Sequence, residues 1–426
     1  MSAWSGRTLH FVGIGGVGMC GWARVALQLG ATVSGSDWAD GPALEGLRAL
    51  GVTVHVGHAA EHVPEGAEVV YNSAIRFDNP ERARARANGW PERPRAELLR
   101  ELTAMKRTLA VAGAHGKTTT ASMLAHALLE LGAEPGYLIG GRLSTTGQNA
   151  DWGAGEWLVV EADESDRSML ALDVEIAVVT NVELDHHATF GSLREVEELF
   201  RAFLAGAPHA VLPDDPAVLS LRQPGRPTTE FTTPAPPLKL RVPGQHNQLN
   251  AAAAVAALEL AGFDRARVVA ALETFGGAGR RFEELGFTSS GVRVVDDYAH
   301  HPTELAAAIA AAREVAAGRV VALFQPHLFS RTQALAAEFG AALAAADLAV
   351  VLEVYPSREQ EADFPGVTGR LVAAAVADAR PGHEVLWLPR FTDVERVLPA
   401  LLRPDDLLLV LGAGDVDELG RSLVAR

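Results

Sequence analysis

The chain has 426 residues, 48% of them apolar and 21% charged, with a formal net charge of −16. That length accommodates two or three domains, each with a core of its own, and the acidic balance argues against a nucleic-acid partner, which needs a basic surface. The lone Cys20 excludes an internal disulfide, and no apolar run reaches the roughly 20 residues that span a bilayer, so a cytoplasmic protein without membrane insertion is expected.

In chain order, Leu9–Val12 reads as a buried strand. Behind it Gly13-Ile14-Gly15-Gly16-Val17-Gly18 opens a helix, and Asp37 follows close to 20 residues later, where a dinucleotide fold places its ribose-binding acid. Read alone, this predicts a nicotinamide-dependent dehydrogenase. The physics is less specific, because a glycine turn at a helix N-terminus holds any diphosphate, including that of a UDP-sugar. Apolar segments at Thr53–Val56 and Glu68–Tyr71 continue a βαβ rhythm, and Pro91 and Pro94 within Trp90–Arg95 fit the approach to a domain boundary.

The second block opens on a strand at Thr108–Ala112, then Gly113-Ala114-His115-Gly116-Lys117-Thr118-Thr119, then a helix-like stretch Ala121–Leu131. A glycine-bounded turn with lysine and threonine between strand and helix is a phosphate cradle. Val111 replaces the first glycine of the usual P-loop pattern, and a lysine is kept here although the chain's lysines are only Lys106, Lys117 and Lys239. Lys117 reaches nucleotide phosphates and Thr118 suits magnesium, so an ATP-handling enzyme is predicted. A nucleotide-binding sensor without catalysis stays open. Strands Trp157–Val160 and Ile176–Thr180 end in Glu161-Ala162-Asp163-Glu164 and in Asn181 through His187. Glu161, Thr118 and His186 are therefore candidate magnesium ligands or positioners. A helix is expected at Leu193–Leu204, the proline-rich passage Pro208–Pro237 resists reading as continuous secondary structure, and Asn250–Leu260 is strongly helical. Asn247 and Asn250 share a helical face suited to orienting a nucleotide, although Asn247 as a helix cap is a competing account. Arg280 and Arg281 are either surface charges or partners of a transferring phosphoryl group.

The third block starts near Glu283 and alternates strands Val292–Val295, Val320–Phe324, Leu348–Leu352 and Leu407–Leu411 with helices Glu304–Ala316 and Ala334–Ala345. Asp296-Asp297-Tyr298-Ala299-His300-His301 and Phe324-Gln325-Pro326-His327 lie at strand ends that face a cleft in such folds. Paired histidines and carboxylates invite a zinc reading, but their spacing matches no common zinc motif. The expected class is α/β with three domains: a Rossmann-like N-terminal domain over residues 1–103, a central P-loop ATPase domain with a parallel sheet over 104–282, and a Rossmann-like C-terminal domain over 283–426.

HFVGIGGVGM, VSGSD, NSAIRFDNPE, GAHGKTTT, EADESD, TNVELDHH, VPGQHNQLNAAAA, RRFE, DDYAHHPTE and FQPHLFSRT occur in this order along nearly the whole chain. Together they resemble the Mur ligase family, and the GIGGVGM form favours its alanine-adding branch over the muropeptide-recycling one. The resemblance implies ATP-dependent ligation of L-alanine to the lactyl carboxylate of UDP-N-acetylmuramate through an acyl phosphate, in peptidoglycan precursor synthesis. It implies that Gly13, Gly15, Gly16, Gly18, Asp37 and Ser73 serve the sugar nucleotide. Lys117, Glu161, His186 and Arg281 would act in catalysis, with Thr118, Glu161 and His186 at Mg2+. The loop from Gly113 to Thr119, with Asn247, Asn250 and Asp297, would hold ATP. Tyr298, His300, His327 and Arg331 would line the alanine pocket. Monomer and homodimer both remain open.

Three departures stand out. No lysine lies between Lys117 and Lys239, where relatives carry a carbamylated one, and Glu197 is the nearest acid to replace it. Leu328 stands where arginine is common, which leaves Arg331 as candidate for the alanine carboxylate. Pro208–Pro237 is short for its place, and Cys20 is expected to be packing rather than a nucleophile.

Overall fold

A computed structural model describes residues 3–184 and 189–425. Among these, eighteen strands form three sheets. The first contains β1 (Thr8–Val12), β2 (Thr32–Asp37), β3 (Thr53–Val56), β4 (Glu68–Tyr71) and β5 (Glu92–Pro94). All its pairs are parallel, in the order β3-β2-β1-β4-β5. That is the Rossmann order, with the direction of winding reversing between β1 and β4, where open α/β sheets take their ligands. Pro94 ends β5, an edge strand that pairs only with β4, and an edge tolerates a residue without N–H.

The second sheet contains β6 (Arg107–Ala112), β7 (Gly136–Leu138), β8 (Ala150–Asp151), β9 (Trp157–Glu161), β10 (Ile176–Val179), β11 (His209–Pro213) and β12 (Thr228–Phe231). Its order is β12-β11-β10-β6-β9-β7-β8, and only β8 runs antiparallel. β6, at its centre, is buried from Thr108 to Ala112, as a strand covered on both faces must be. The passage Pro208–Pro237 is more regular than its prolines suggest. Pro208 and Pro227 precede β11 and β12, and Pro216 opens a short helix, positions at which a missing N–H costs little.

The third sheet contains β13 (Glu283–Phe287), β14 (Arg293–Asp297), β15 (Val320–Phe324), β16 (Leu348–Val351), β17 (Glu384–Trp387) and β18 (Leu407–Leu411). Its order is β13-β14-β18-β15-β16-β17, parallel except for the edge strand β13. β15 and β18 are buried at every residue.

The chain divides into two compact units, Met1–Thr232 with Asn250–Phe275, and Thr233–Leu249 with Gly276–Arg426. The first two sheets belong to the first unit and share one apolar core, to which Phe11, Ile14, Trp22, Ala110 and Val160 all contribute. Gln28, ending the helix Val17–Gln28, donates to Asp151 at 2.5 Å and accepts from the Trp152 N–H at 2.8 Å. The third sheet, with its own cores, belongs to the second unit. Among the described residues no helix is long and apolar enough to cross a membrane.

Candidate active site

The first glycine turn is built from backbone. Gly13 and Ile14 donate their N–H groups to the Ser36 carbonyl at 2.8 and 2.9 Å, and Gly15 donates to the Asp37 carboxylate at 2.8 Å. A Cβ on Gly15 would lie 3.0 Å from that carboxylate, so this position needs glycine for close approach. Gly16 precedes the helix at its N-cap, and Gly18 lies beside the Arg95 guanidinium. Ser73 stands exposed behind β4, across the reversal point from the turn. The expected sugar-nucleotide residues of this sheet therefore gather at the carboxyl ends of β1, β2 and β4.

The second turn is tighter. Gly116, in the left-handed region at φ +79°, caps a helix that begins at Lys117 and runs to Glu130, four residues earlier than the apolar pattern suggests. Thr180 and Asn181, after β10, clamp the loop. Asn181 accepts from the His115 N–H and donates to its carbonyl, both at 2.9 Å, and the Thr180 hydroxyl donates to the same carbonyl at 2.5 Å. A Cβ on Gly113 would fall 2.0 Å from Thr180 Oγ1, and one on Gly116 would fall 2.6 Å from Asn250 Oδ1. The latter contact places Asn250, buried in the helix Gln245–Leu260, against the phosphate loop.

Lys117 donates to the Gly113 and Ala114 carbonyls at 2.5 and 3.3 Å and to both Glu164 oxygens at 2.9 and 3.0 Å. Burial works against its charge, yet Glu164, Asp163 and Glu161 outweigh that and hold the ammonium above the usual lysine range. Burial likewise pushes Asp163 up, but Lys117, the Ser165 N–H and Arg95 bring it below the usual carboxylate range. Thr118 donates to Glu161 Oε2 at 3.1 Å, and the Gly140 N–H donates to Glu161 Oε1. A Cβ at Gly140 would meet Glu161 at 3.0 Å and Thr118 at 3.1 Å. This hydroxyl–carboxylate pair offers only hard oxygen donors, which fits a magnesium ion. His186 lies outside the described residues. Glu197 pairs with Arg201 at 3.3 Å on its own helix, Leu193–Gly206. Arg95, whose guanidinium lies beside Gly18, pairs with Asp166 at 2.8 Å and lies 3.8 Å from Asp163.

In the second unit, Asn247 sits inside the helix rather than at its cap. The helix starts at Gln245, and the Asn247 amide donates back to the Pro243 carbonyl at 2.6 Å. Arg280 is tied into the scaffold, donating to Asp296 at 3.0 Å and to the Gly412 and Gly414 carbonyls at 2.7 and 2.8 Å. Arg281 lies 5.2 Å from the Tyr298 ring and 3.8 Å from Glu304. An aromatic chain runs from Tyr298 to His300 (5.3 Å), His327 (6.0 Å) and Tyr355 (5.7 Å, stacked). Arg331, buried, reaches His327 Nδ1 at 3.5 Å. Arg281, Tyr298, His300, His327 and Arg331 thus form one patch beyond the ends of β14 and β15. Leu328 turns its side chain into the interior with φ +71°, its N–H on the Tyr355 carbonyl at 2.9 Å, so it serves packing rather than the patch.

Asp297 accepts from the Phe282 and Ala299 N–H groups at 2.9 and 2.8 Å. Burial pushes Asp296 up to about 7 and Asp297 up to about 6, with Arg280 and Arg281 pulling the other way. Cys20 packs at the first core with Asn149 Nδ2 at 3.8 Å, and burial raises its thiol, the opposite of what a nucleophile needs.

Glu164, Thr180, Asn181, Gly140, Glu304 and Tyr355 were not singled out by the sequence. Of these, the glycine pair Gly140-Gly141 offered a signal, marking a close backbone approach.

A Rossmann-type diphosphate turn beside a lysine-bearing phosphate loop, both at parallel-strand ends, defines a nucleotide-handling α/β enzyme. Family models agree on which kind: "Mur ligase family, catalytic domain" matches residues 8–107, "Mur ligase middle domain" 111–233 and "Mur ligase, glutamate ligase domain" 280–414. The chain belongs to the Mur ligase family. It is 45% identical to the UDP-N-acetylmuramate–L-alanine ligase of Thermobifida fusca over 98% of this chain and 96% of that one. To the enzyme of the same name from Rubrobacter xylanophilus it is 42% identical, over 98% and 99%. The crystal structure of UDP-N-acetylmuramate-alanine ligase from Thermotoga maritima matches with a TM-score of 0.84 at 30% identity, over 98% of each chain. A murein peptide ligase from Psychrobacter arcticus shares the fold, with a TM-score of 0.74 at 23% identity.

Proposed function

We propose that the chain joins L-alanine to UDP-N-acetylmuramate at the expense of ATP, in the cytoplasm, as a step of peptidoglycan precursor synthesis. The lactyl carboxylate attacks the γ-phosphorus of ATP, forming an acyl phosphate and releasing ADP. The alanine amine then attacks the acyl carbon, and inorganic phosphate leaves with the C–O bond electrons. The observation that carries this reading is the geometry around Lys117 and Thr118: a cation fixed by loop carbonyls and Glu164, one residue from a hydroxyl on the Glu161 carboxylate. Phosphoryl transfer needs placed charge more than acid–base groups, and the family supplies the substrates.

Thr118 and Glu161 would hold Mg2+, with His186 as a third member, and the ion when bound would neutralise phosphate charge. Gly113 to Thr119 with Asn247, Asn250 and Asp297 would hold ATP, and the turn from Gly13 to Gly18 with Asp37 and Ser73 the sugar nucleotide. Tyr298, His300, His327 and Arg331 would take alanine, and Arg281 the transferring phosphate. These roles correspond to a sugar-nucleotide domain over residues 1–103, an ATP domain over 104–282 and an amino-acid domain over 283–426.

The test is phosphate release from ATP and magnesium with UDP-N-acetylmuramate, adding L-alanine, glycine, L-serine or no amino acid. Release that requires both the sugar nucleotide and L-alanine is expected. Release with neither, or none in any combination, would overturn the reading.

A further inference from the structure

Beside the first glycine turn lies a buried cluster that the ligation chemistry does not use. Glu81, in the helix Pro80–Asn88, and His10, on β1, are both fully buried. His58, behind β3, and His62, ending the short turn Ala60–His62, close the group. Glu81 Oε2 accepts from Ser36 Oγ at 2.7 Å and lies 3.3 Å from His58 Nδ1. Its Oε1 lies 3.4 Å from His62 Nδ1 and 3.7 Å from His10 Nε2. Those last three atoms are buried and find no hydrogen-bond partner among the described residues. His10 turns its other nitrogen to Ser34 Oγ at 2.9 Å, and His62 stacks on His55 at 4.1 Å.

Among the described residues every ion pair of Glu81 is with a histidine. A carboxylate taken out of water needs partners close by, and here the Ser36 hydroxyl and three imidazoles supply them. Burial pushes the Glu81 carboxyl up, but His10, Ser36 and His58 outweigh it and hold it below the usual carboxylate range. The cluster is wired to the turn through one residue. Ser36 donates its hydroxyl to Glu81 and accepts the Gly13 and Ile14 N–H groups on its carbonyl, while Asp37 beside it accepts from Gly15.

We propose that Glu81 is a positioning residue for the sugar nucleotide: its bond to the Ser36 side chain fixes the carboxyl end of β2, and through the Ser36 carbonyl the glycine turn that holds the diphosphate. The inference rests on the reading of that turn as the sugar-nucleotide site.

Calorimetric titration of the full chain with UDP-N-acetylmuramate, and separately with ATP and magnesium, tests it. Glu81→Gln, which keeps the shape and gives up the carboxylate, should weaken sugar-nucleotide binding about fivefold, the worth of about one hydrogen bond, and leave ATP affinity unchanged. Ser36→Ala, which keeps the carboxylate but cuts its link to the turn, should do the same. Unchanged sugar-nucleotide affinity in these variants overturns the inference, as does an equal loss of both ligands, which would mark a purely structural role. If Glu81→Gln does not fold, Ser36→Ala alone decides between these outcomes. Failure of the wild-type chain to bind UDP-N-acetylmuramate at any pH would overturn the sugar-nucleotide reading itself, and the inference with it.

Discussion

The turn after β1 and the turn after β6 each lead a parallel strand into a helix, yet they are held differently. The first is fixed by backbone donors on the Ser36 carbonyl and one carboxylate, Asp37, and its helix opens on Val17 and Gly18. The second is clamped from outside by Thr180 and Asn181, and its helix opens on Lys117 and Thr118. Backbone N–H groups at a helix start are enough to hold a diphosphate. Moving a phosphoryl group asks for more: a fixed cation, a hydroxyl–carboxylate pair and a loop that does not yield as charge develops. The contrast separates a site that binds from a site that reacts.

Lys117→Ala gives the largest expected effect, because it removes the cation on which that contrast depends. Ligation should fall on the order of 10³-fold. Melting should also move to lower temperature, since Glu164 is 3% exposed and loses its partner. A fully active variant, in the phosphate-release assay, would break the assignment of the second turn as the reactive one. Next come the paired variants Gly113→Ala and Gly13→Ala. At Gly113, with φ +143°, the added Cβ would fall 2.0 Å from Thr180 Oγ1. At Gly13, with φ +76°, it would meet only the tip of Ile75 at 3.3 Å. Gly113→Ala should therefore lower kcat about 100-fold by displacing the loop, while Gly13→Ala should cost about 1–2 kcal/mol of backbone strain and spare kcat. Equal losses of kcat would show that the two turns are equally rigid.

The parts legible in the sequence are those whose physics is local. Buried parallel strands read as apolar runs, so β6, β9, β15 and β18 stand at their expected places. Glycine, lysine and threonine between strand and helix mark the phosphate loop without help from the rest of the chain. What stayed hidden depends on residues far apart in sequence. Asn181 closes a loop 66 residues before it, and nothing in its own neighbourhood announces that role. The run EADESD contains several acids, and only the fold selects Glu164 for Lys117 and Glu161 for Thr118. Tyr355 reaches His327 from behind another strand, with its ring against Gly414. Prolines misled in Pro208–Pro237, because beside a strand or at the first position of a helix they interrupt nothing.

Asn181→Ala and Asp37→Asn form a crossed pair of smaller effect. Of the two turns, the Asn181 side chain bonds the second and the Asp37 carboxylate the first. Asn181→Ala should raise KM for ATP about tenfold and leave that for UDP-N-acetylmuramate unchanged; Asp37→Asn should do the reverse by a similar factor. Steady-state kinetics with each substrate varied in turn decides it. If either variant moves both constants equally, the turns do not act as separate sites.

The third sheet extends the comparison with a strand end that also receives backbone N–H groups on a carboxyl, but in a drier setting. Burial pushes Asp297 up to about 6 and Asp296 up to about 7. A raised acid binds its proton more tightly in the folded chain than in the unfolded one, so stability falls as pH rises through these values. The contribution is complete below the ordinary aspartate range and is lost by about pH 8. Asp297→Asn removes one of the two titrations and leaves a neutral oxygen for one of the two N–H donors, Phe282 or Ala299. Its melting temperature should be lower than wild type at about pH 5, by a few degrees for one lost hydrogen bond. The gap should narrow or reverse by about pH 8, where the wild-type chain must ionise a buried carboxyl. A gap that stays constant across this range would mean that Asp297 is not held protonated by its surroundings, and that the third sheet's carboxyl end is as wet as that of the first.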